Sequence, residues 1–137
     1  MKYVILAFLL LLGGQIHVYA QITPNKAILA IIGEAESEGP RGMLAVACAI
    51  RNRGTLKGVY GLHAYRVIHH LYSSKTLRMA RSAWRASAFE DVTSGATGWG
   101  NKADLDKFCS TKWWTRCQVT CIVGHQWFYK EVKNGKA

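Results

Sequence analysis

The stretch that decides the fold is TPNKAILAIIGEAESEGPRGMLAVACAIRNR, residues 23–53. Apolar residues recur at helical spacing after a Thr-Pro pair, which is typical of a helix start, and they predict a first helix over residues 24–36. Gly39-Pro40 breaks this helix. A second helix is predicted over residues 42–53, and it is apolar on nearly all sides. Such a helix lies in the centre of a fold, because it has no polar face for solvent.

The rest of the chain predicts shorter elements. A short helix is expected within residues 55–75, and a third clear helix over residues 76–89. Residues 94–101 are rich in glycine and predict a loop, followed by a short helix or turn over residues 104–114. Residues 118–123 are β-branched and bounded by Gly124, which predicts a strand, and residues 126–130 are predicted as the second strand of a terminal hairpin. The fold class is therefore α+β, mostly helical, with a small C-terminal β hairpin.

The first twenty residues have the pattern of an export signal. Lys2 is followed by an apolar run of about ten residues, which suits a secretory segment and is too short to span a bilayer. Val18 and Ala20 have the spacing that a signal peptidase recognises and predict cleavage after Ala20, leaving a domain of residues 21–137. We therefore expect a secreted protein, or one of the periplasm or cell wall. An uncleaved anchor or a buried helix is the alternative.

The charge balance indicates an anionic partner. The 137 residues contain 18 Lys and Arg against 8 Asp and Glu, for a formal charge of +10. Half of the residues are hydrophobic, which excludes a disordered tail or a low-complexity linker. A strongly basic globular protein favours nucleic acid, an acidic membrane or an anionic wall polymer. Composition by itself does not choose among these partners.

The four cysteines suggest a disulfide in an oxidising compartment. Cys117, Cys121 and His125 recur every fourth residue, so a zinc site is an alternative. In a strand, however, positions four apart are separated by about 13 Å, which is too far for shared zinc ligation or for a Cys117–Cys121 bond. Cys109 is therefore expected to pair with Cys117 or Cys121, and Cys48 to be a buried thiol.

Three of the eight acidic residues fall within five positions, as Glu34, Glu36 and Glu38. Negative charge at the C-terminal end of a helix is unfavourable, and so are like charges four residues apart. Acids placed against both effects favour a functional explanation for the cluster. Glu34 follows the apolar face of the first helix, so we expect partial burial. Burial favours the protonated form of a carboxyl group in general, and this is the form that a general acid needs. A solvated helix end paired with Arg41 or Arg51 is the alternative.

Tryptophans are concentrated in the last third of the chain, where four of the five occur. The faces of tryptophan rings pack well against sugar rings, and their polar edges can remain solvated in a partly exposed groove. Trp99 stands between two glycines, which predicts a ligand contact, and Trp113 is a second candidate. Asn101 can both donate to and accept from acetamido groups. A role of these rings in the core is the competing interpretation.

Two segments resemble one family. Residues 34–53, EAESEGPRGMLAVACAIRNR, contain an acid-alanine pair, a glycine, an alanine-valine pair and a closing Asn-Arg. This is similar to the opening motif of the SleB-type cell wall hydrolases, which include the spore cortex-lytic enzymes. Residues 122–129, IVGHQWFY, resemble the ending of that family. The resemblance covers about residues 27–130.

The resemblance implies a lysozyme-like or lytic-transglycosylase-like fold that acts on the β-1,4 bond between N-acetylmuramic acid and N-acetylglucosamine. Glu34 would be the acid/base that protonates the leaving oxygen while the muramic 6-hydroxyl closes an anhydro ring. His125 and Tyr129, from the ending, are further candidate substrate contacts. The resemblance implies no metal or organic cofactor, and its partner is the glycan strand of peptidoglycan.

Two other functions stay open. A hydrolytic muramidase needs a second carboxylate to activate water, for which Glu38, Asp104 and Asp106 are candidates. A non-catalytic basic wall-binding or antimicrobial protein would use the tryptophans and the charge without Glu34. A nucleic-acid partner is not expected, because the basic residues are spread along the chain and export argues against it. We also expect no stable membrane insertion, and a monomer.

Overall fold

The computed structural model of the protein describes residues 22–110 and 115–133. Five α-helices, two 3₁₀ turns and three strands follow one another within these residues. They are α1 (Pro24–Ala35), a 3₁₀ turn (Glu36–Glu38), α2 (Gly39–Arg53), a second 3₁₀ turn (Tyr60–His63), α3 (Tyr65–Ile68), α4 (Ser74–Ala86), β1 (Gly98–Gly100), α5 (Lys102–Ser110), β2 (Thr115–Val123) and β3 (Gln126–Lys133). The mixed, mostly helical class expected from the sequence is confirmed.

The two predicted central helices form the core. α1 packs on α2, and α4 packs on both of them. The contact faces are built from small and β-branched side chains, which let the helix backbones approach closely. Phe128 of β3 is fully buried against this helical layer, so the sheet shares the same core. The fully buried side chains with the largest volumes are Phe128, Ile31, Ile32, Met43, Ile50, Val46, Thr93 and Cys48.

The helix ends follow local chemistry. α1 begins at Pro24, where a missing N–H costs nothing. α2 begins at Gly39, three residues before the predicted start, so Gly39-Pro40 belongs to its first turn. The prediction that this pair ends the first helix is wrong, because α1 ends at Ala35, before the 3₁₀ turn. Gly54 ends α2 with a φ of 72°, a left-handed conformation suited to glycine. The Ser73 hydroxyl accepts from the Thr76 N–H at 3.0 Å and caps α4, which ends at Ala86 instead of residue 89.

The sheet has three antiparallel strands in the order β1-β3-β2. The predicted terminal hairpin of β2 and β3 is confirmed, but the loop predicted over residues 94–101 is partly wrong, because residues 98–100 form β1. Trp99 pairs with Phe128, and the Thr97 N–H donates to the Tyr129 carbonyl at 2.9 Å. Gly98 is needed for packing, since a Cβ there would lie 2.4 Å from Cζ of Tyr129. Glycine is needed at position 98 because of this close contact, and it does not indicate a loop there.

A disulfide joins Cys109 of α5 to Cys117 of β2, with the two Cα atoms 5.8 Å apart. The expected bond from Cys109 is thus confirmed, and its partner is Cys117. Cys48 is a buried free thiol, as expected, and burial raises its pKa. Zinc binding by Cys117 does not fit this structure, because its sulfur is already bonded. Among the described residues, no three His, Cys, Asp or Glu side chains are grouped to hold a metal ion.

Reduction of this disulfide should lower the free energy of unfolding by about 2–3 kcal/mol, the entropic value for closing a short loop. The measurement is urea unfolding of the oxidised protein and of a Cys109→Ser/Cys117→Ser variant. Cys121→Ser is the matched control, because Cys121 is a free thiol. Equal stability of the double variant and the oxidised protein would contradict the expectation.

No helix within residues 22–110 and 115–133 has the length and apolar character needed to cross a bilayer. The predicted export signal and its cleavage point after Ala20 lie outside the described residues.

Candidate functional site

Glu34 lies at the end of α1, and its carboxylate accepts two hydrogen bonds. The Gly61 backbone N–H, from the second 3₁₀ turn, donates to Oε1 at 2.5 Å. The indole Nε1–H of Trp99 donates to Oε2 at 3.0 Å. One main-chain donor and one ring donor, from segments far apart in sequence, therefore fix the orientation of this carboxylate.

Two glycines allow this arrangement by a close backbone approach. A Cβ on Gly33 would lie 2.0 Å from the Gly61 carbonyl oxygen. A Cβ on Gly61 would lie 2.7 Å from Cγ of Glu34. Both distances are shorter than any non-bonded contact that packing tolerates. The Gly61 N–H can therefore reach the carboxylate only because neither residue has a side chain.

The main-chain carbonyl of Glu34 is also held. The side-chain amide of Gln126, at the start of β3, donates to this oxygen at 2.7 Å. This bond satisfies a carbonyl at the end of α1, where no further helical turn supplies a donor. The end of α1 is thereby connected to the sheet that carries Trp99.

Glu34 opens onto a groove with a volume of about 610 Å³. Four aromatic and four charged side chains line it, together with glycines and a few small residues. The aromatic residues are Tyr60, Trp99, Phe108 and Tyr129, and the charged residues are Glu34, Arg53, Asp104 and Glu131. A volume of this size suits a small ligand or a short stretch of a polymer.

The Glu34 carboxylate retains room for a proton. A carboxylate has about four lone-pair positions, and the two hydrogen bonds described above use two of them. A proton can therefore occupy a remaining position while both donors stay in place. The group can act as an acid or a base without losing its orientation.

Tyr129 contributes a neutral phenol to the same groove. Burial raises the pKa of Tyr129, and the nearby charge of Glu131 raises it further. The hydroxyl consequently keeps its proton at neutral pH and remains a donor. Its ring lies 5.6 Å, centroid to centroid, from that of Phe108, which makes one aromatic wall.

The other two glutamates of the cluster have structural partners outside the groove. Glu36 pairs with Arg66 at 2.8 Å and accepts from the Thr76 hydroxyl at 3.0 Å. Glu38 accepts from the backbone N–H of His125 at 3.0 Å, and its other oxygen lies 3.4 Å from the His125 ring nitrogen Nδ1. The alternative predicted from the sequence paired these acids with Arg41 or Arg51. Those partners are wrong, although Glu36 does form an ion pair, with Arg66.

The structure brings together some of the predicted site residues and separates others. Glu34, Trp99 and Tyr129 line one groove, and Asp104 lines it as well. Asn101 instead caps α5, where its side-chain oxygen accepts from the Asp104 N–H at 2.9 Å and its amide donates to the Asp104 side chain at 2.6 Å. His125 is 96% exposed at the hairpin turn, beside Glu38. Neither of them is among the lining residues, and Trp113 lies outside the described residues.

Sequence reasoning missed the network that supports β1. The Asn52 side chain donates to Asp91 at 2.9 Å and to the Ala96 carbonyl at 3.0 Å. Asp91 also accepts from the Thr93 N–H at 2.8 Å and from the Gly95 N–H at 2.8 Å. The Asn-Arg pair that ends α2 was the sequence feature that could have indicated this network. Asn52 holds the loop before β1 by hydrogen bonds, and Arg53 lines the groove.

The Asp91 network should make stability depend on pH. Partial burial raises the pKa of Asp91, but hydrogen bonds from Thr93, Asn52 and Gly95 outweigh it and hold the pKa below its usual value. A lowered native pKa means that the unfolded chain takes up the proton first as the pH falls. The stabilisation is thus present above the unfolded pKa of about 3.9 and is lost as the pH falls through the native pKa.

We expect Asp91→Asn to reduce the free energy of unfolding most at neutral pH and progressively less below about pH 4. Urea unfolding of both proteins at a series of pH values measures the difference. Glu90→Gln, which changes an exposed neighbouring carboxyl, should give a much smaller difference. A difference between Asp91→Asn and wild type that does not vary with pH would contradict this account.

A comparison of the chain with protein-family models, with curated proteins and with solved structures finds no match.

Proposed function

We propose that this protein is a glycosidase that cleaves the β-1,4 bond between N-acetylmuramic acid and N-acetylglucosamine in peptidoglycan, with Glu34 as its acid/base. The observation that carries the proposal is the carboxylate of Glu34, held by two N–H donors and facing a groove lined with aromatic rings. The proposal extends to a lysozyme-like fold and to the SleB-type family, on the residues that resemble it.

The side chains that line the groove are of the types that bind sugar polymers. Aromatic faces pack against the C–H faces of sugar rings, and the polar edges of tyrosine and tryptophan can remain solvated. Tyr60 is 80% exposed, which leaves its ring available to a ligand. The basic Arg53 and the acidic Asp104 lie in the same groove and can bond acetamido, hydroxyl or carboxylate groups of the substrate.

Glu34 can perform both proton transfers of a lytic transglycosylation. Its protonated form gives a proton to the leaving glycosidic oxygen, and the resulting carboxylate then accepts the proton of the muramic 6-hydroxyl. The oxygen of that hydroxyl closes the anhydro ring, so no water enters the product. General acid–base catalysis of this kind contributes about 10²–10⁴ to the rate.

The hydrolytic alternative has one observation in its favour, because two further carboxylates, those of Asp104 and Glu131, line the groove together with Glu34. In an inverting or retaining hydrolase, a second carboxylate activates water or attacks the sugar. Glu38, the first candidate for that role, lies against His125 and does not line the groove. Asp104 and Glu131 are therefore better candidates than Glu38 if the reaction is hydrolysis. The anhydro-forming reaction remains our proposal, since it needs Glu34 alone.

Export to the cell wall is part of the proposal. It is supported by the disulfide, which persists in oxidising compartments, and by the basic charge.

The experiment that tests the proposed function is digestion of purified peptidoglycan followed by mass analysis of the new glycan ends. A lytic transglycosylase produces 1,6-anhydromuramic ends, and a muramidase produces reducing ends. A non-catalytic wall-binding protein produces no new ends, and that result would overturn the proposal.

The Trp99–Glu34 hydrogen bond gives a further prediction. Trp99→Phe keeps an aromatic ring but removes the N–H that orients the carboxylate, and we expect a roughly tenfold lower cleavage rate, the lower bound for a bond to a charged group. The melting temperature is recorded for the same samples, so that a loss of stability is separated from a loss of rate. Trp127→Phe is a matched control in the same sheet, and it should leave the rate unchanged. Equal rates for Trp99→Phe and wild type would contradict this role of the indole N–H.

A further inference from the structure

The exposed face of α4 is cationic along its length. Its charged residues recur at intervals of three and four positions, and helical geometry places them opposite the buried Ala80 and Trp84. All of them are exposed. They are Lys75, Arg78, Arg81 and Arg85.

This charge is not neutralised within the protein. In the part of the chain that the structure describes, none of the four cations has a hydrogen-bond or ion-pair partner. No Asp or Glu occurs between Glu38 and Glu90, a stretch that carries nine Lys and Arg residues. The acid that contacts α4 is Glu36, through Thr76, and it is already paired with Arg66. Like charges at this spacing repel one another, so an external anion would stabilise the helix.

The side chains on this face favour phosphate in a linear polymer. Three of the four cations are arginines, whose planar forks bind phosphate oxygens in pairs. From Lys75 to Arg85 the cations extend over about 15 Å along the helix axis, a narrow row that suits an extended chain.

The same face lacks the groups that other polyanions require. Within α4 the remaining exposed side chains are Ser74 and Ser82, which are small and polar. One exposed aromatic ring, that of Phe89, lies just beyond the C-terminal end of the helix. A single-stranded nucleic acid binds through aromatic rings that stack on its bases. A peripheral membrane helix inserts apolar side chains beside its cations. The single ring of Phe89 at one end of the row forms neither a series of stacking rings nor an apolar face, so a chain of phosphates without bases matches this face best.

We propose that the α4 face binds a linear polymer of polyol phosphates, with successive phosphodiesters bonded along the row of cations. None of the residues that line the Glu34 groove belongs to α4, so both surfaces can be occupied at once. The proposal that such a polymer holds the protein at a cell wall rests on the proposed function, whereas the binding itself does not.

The test is binding of poly(glycerol phosphate) to the full chain, measured by calorimetry over a range of salt concentrations. Changing Lys75, Arg78, Arg81 and Arg85 to Gln should weaken binding by roughly 20- to 80-fold, at two- to threefold for each exposed ion pair. The slope of log affinity against log salt should fall by about 3, at about 0.7 for each phosphate that the variant no longer neutralises.

A matched control removes the same charge from four different elements. Lys26→Gln, Arg41→Gln, Lys107→Gln and Arg116→Gln change exposed cations and should weaken binding only by a small factor. Equal decreases in affinity for the two quadruple variants would overturn the proposal, since binding would then follow net charge alone. If the α4 variant does not fold, the double variant Arg78→Gln/Arg85→Gln replaces it, with an expected decrease of about four- to ninefold and a slope change of about 1.4.

Two further probes decide the class of partner. Vesicles of phosphatidylglycerol and a single-stranded oligonucleotide should bind more weakly than poly(glycerol phosphate) and be less affected by the α4 changes. Tighter, α4-dependent binding of either probe would overturn the choice of polymer. Glu34→Gln should bind poly(glycerol phosphate) like the wild type, and the α4 variant should cleave polymer-free peptidoglycan at the wild-type rate. Loss of one activity without the other therefore distinguishes this proposal from the proposed glycosidase.

Discussion

Glu34→Gln should lower the rate of peptidoglycan cleavage at least about 100-fold, the lower bound for losing a general acid. The amide retains the size of the side chain and an oxygen that can accept from Gly61 or Trp99. It cannot give a proton to a leaving oxygen. The measurement is the initial rate of release of soluble glycan fragments, with the melting temperature recorded for the same sample.

Glu90→Gln is the matched control for this experiment. Glu90 is an exposed carboxyl outside the groove, so the same chemical change there should leave the rate unaltered. A Glu34→Gln protein that keeps more than half of the wild-type rate would remove Glu34 from the mechanism. Glu38→Gln should cost much less activity than Glu34→Gln, because its carboxylate lies against the hairpin turn.

Gly33→Ala should destabilise the protein by at least about 2 kcal/mol. The new Cβ would lie 2.0 Å from the Gly61 carbonyl, and both partners of that clash are backbone. Alanine improves helix propensity by about 1 kcal/mol in α1, but the displacement of the 3₁₀ turn outweighs this gain. The same displacement withdraws the Gly61 N–H from Glu34, so cleavage activity should fall as well.

Urea unfolding measures this decrease in stability, and Gly100→Ala supplies the comparison. A Cβ on Gly100 would meet the Asp104 Cβ at 3.8 Å, an ordinary contact, so this change should alter stability by less than about 1 kcal/mol. Similar stabilities of Gly33→Ala and the wild type would mean that α1 and the 3₁₀ turn are not held together as described.

The helical framework was predictable because local signals and burial agree. Residues 27–50 combine helix start and stop signals with apolar residues at helical spacing, and most of the described core residues lie among them. The β-branched residues 118–123 likewise predicted β2, and the distance between positions four apart in a strand excluded a Cys117–Cys121 bond. The position of Glu34 at the end of α1, next to its buried face, followed from the same pattern, whereas its catalytic role remains a prediction.

Long-range contacts were not predictable from composition. Glycine near Trp99 indicated a loop, whereas Gly98 is required by the ring of Tyr129 from another strand. No local pattern gives the bond from Trp99 to Glu34, because the two residues are 65 positions apart. The contacts of Glu36 and Glu38 could not be predicted for the same reason, because their partners Arg66 and His125 belong to other elements.

The central claim is that the glycosidic bond is broken at Glu34 within the aromatic groove. A crystal structure of Glu34→Gln bound to an oligomer of N-acetylglucosamine and N-acetylmuramic acid tests this most directly. The account predicts that the side chain at position 34 lies about 3 Å from one glycosidic oxygen, with sugar rings against Trp99 and Tyr129. An oligomer bound elsewhere, with the groove occupied only by solvent, would contradict it.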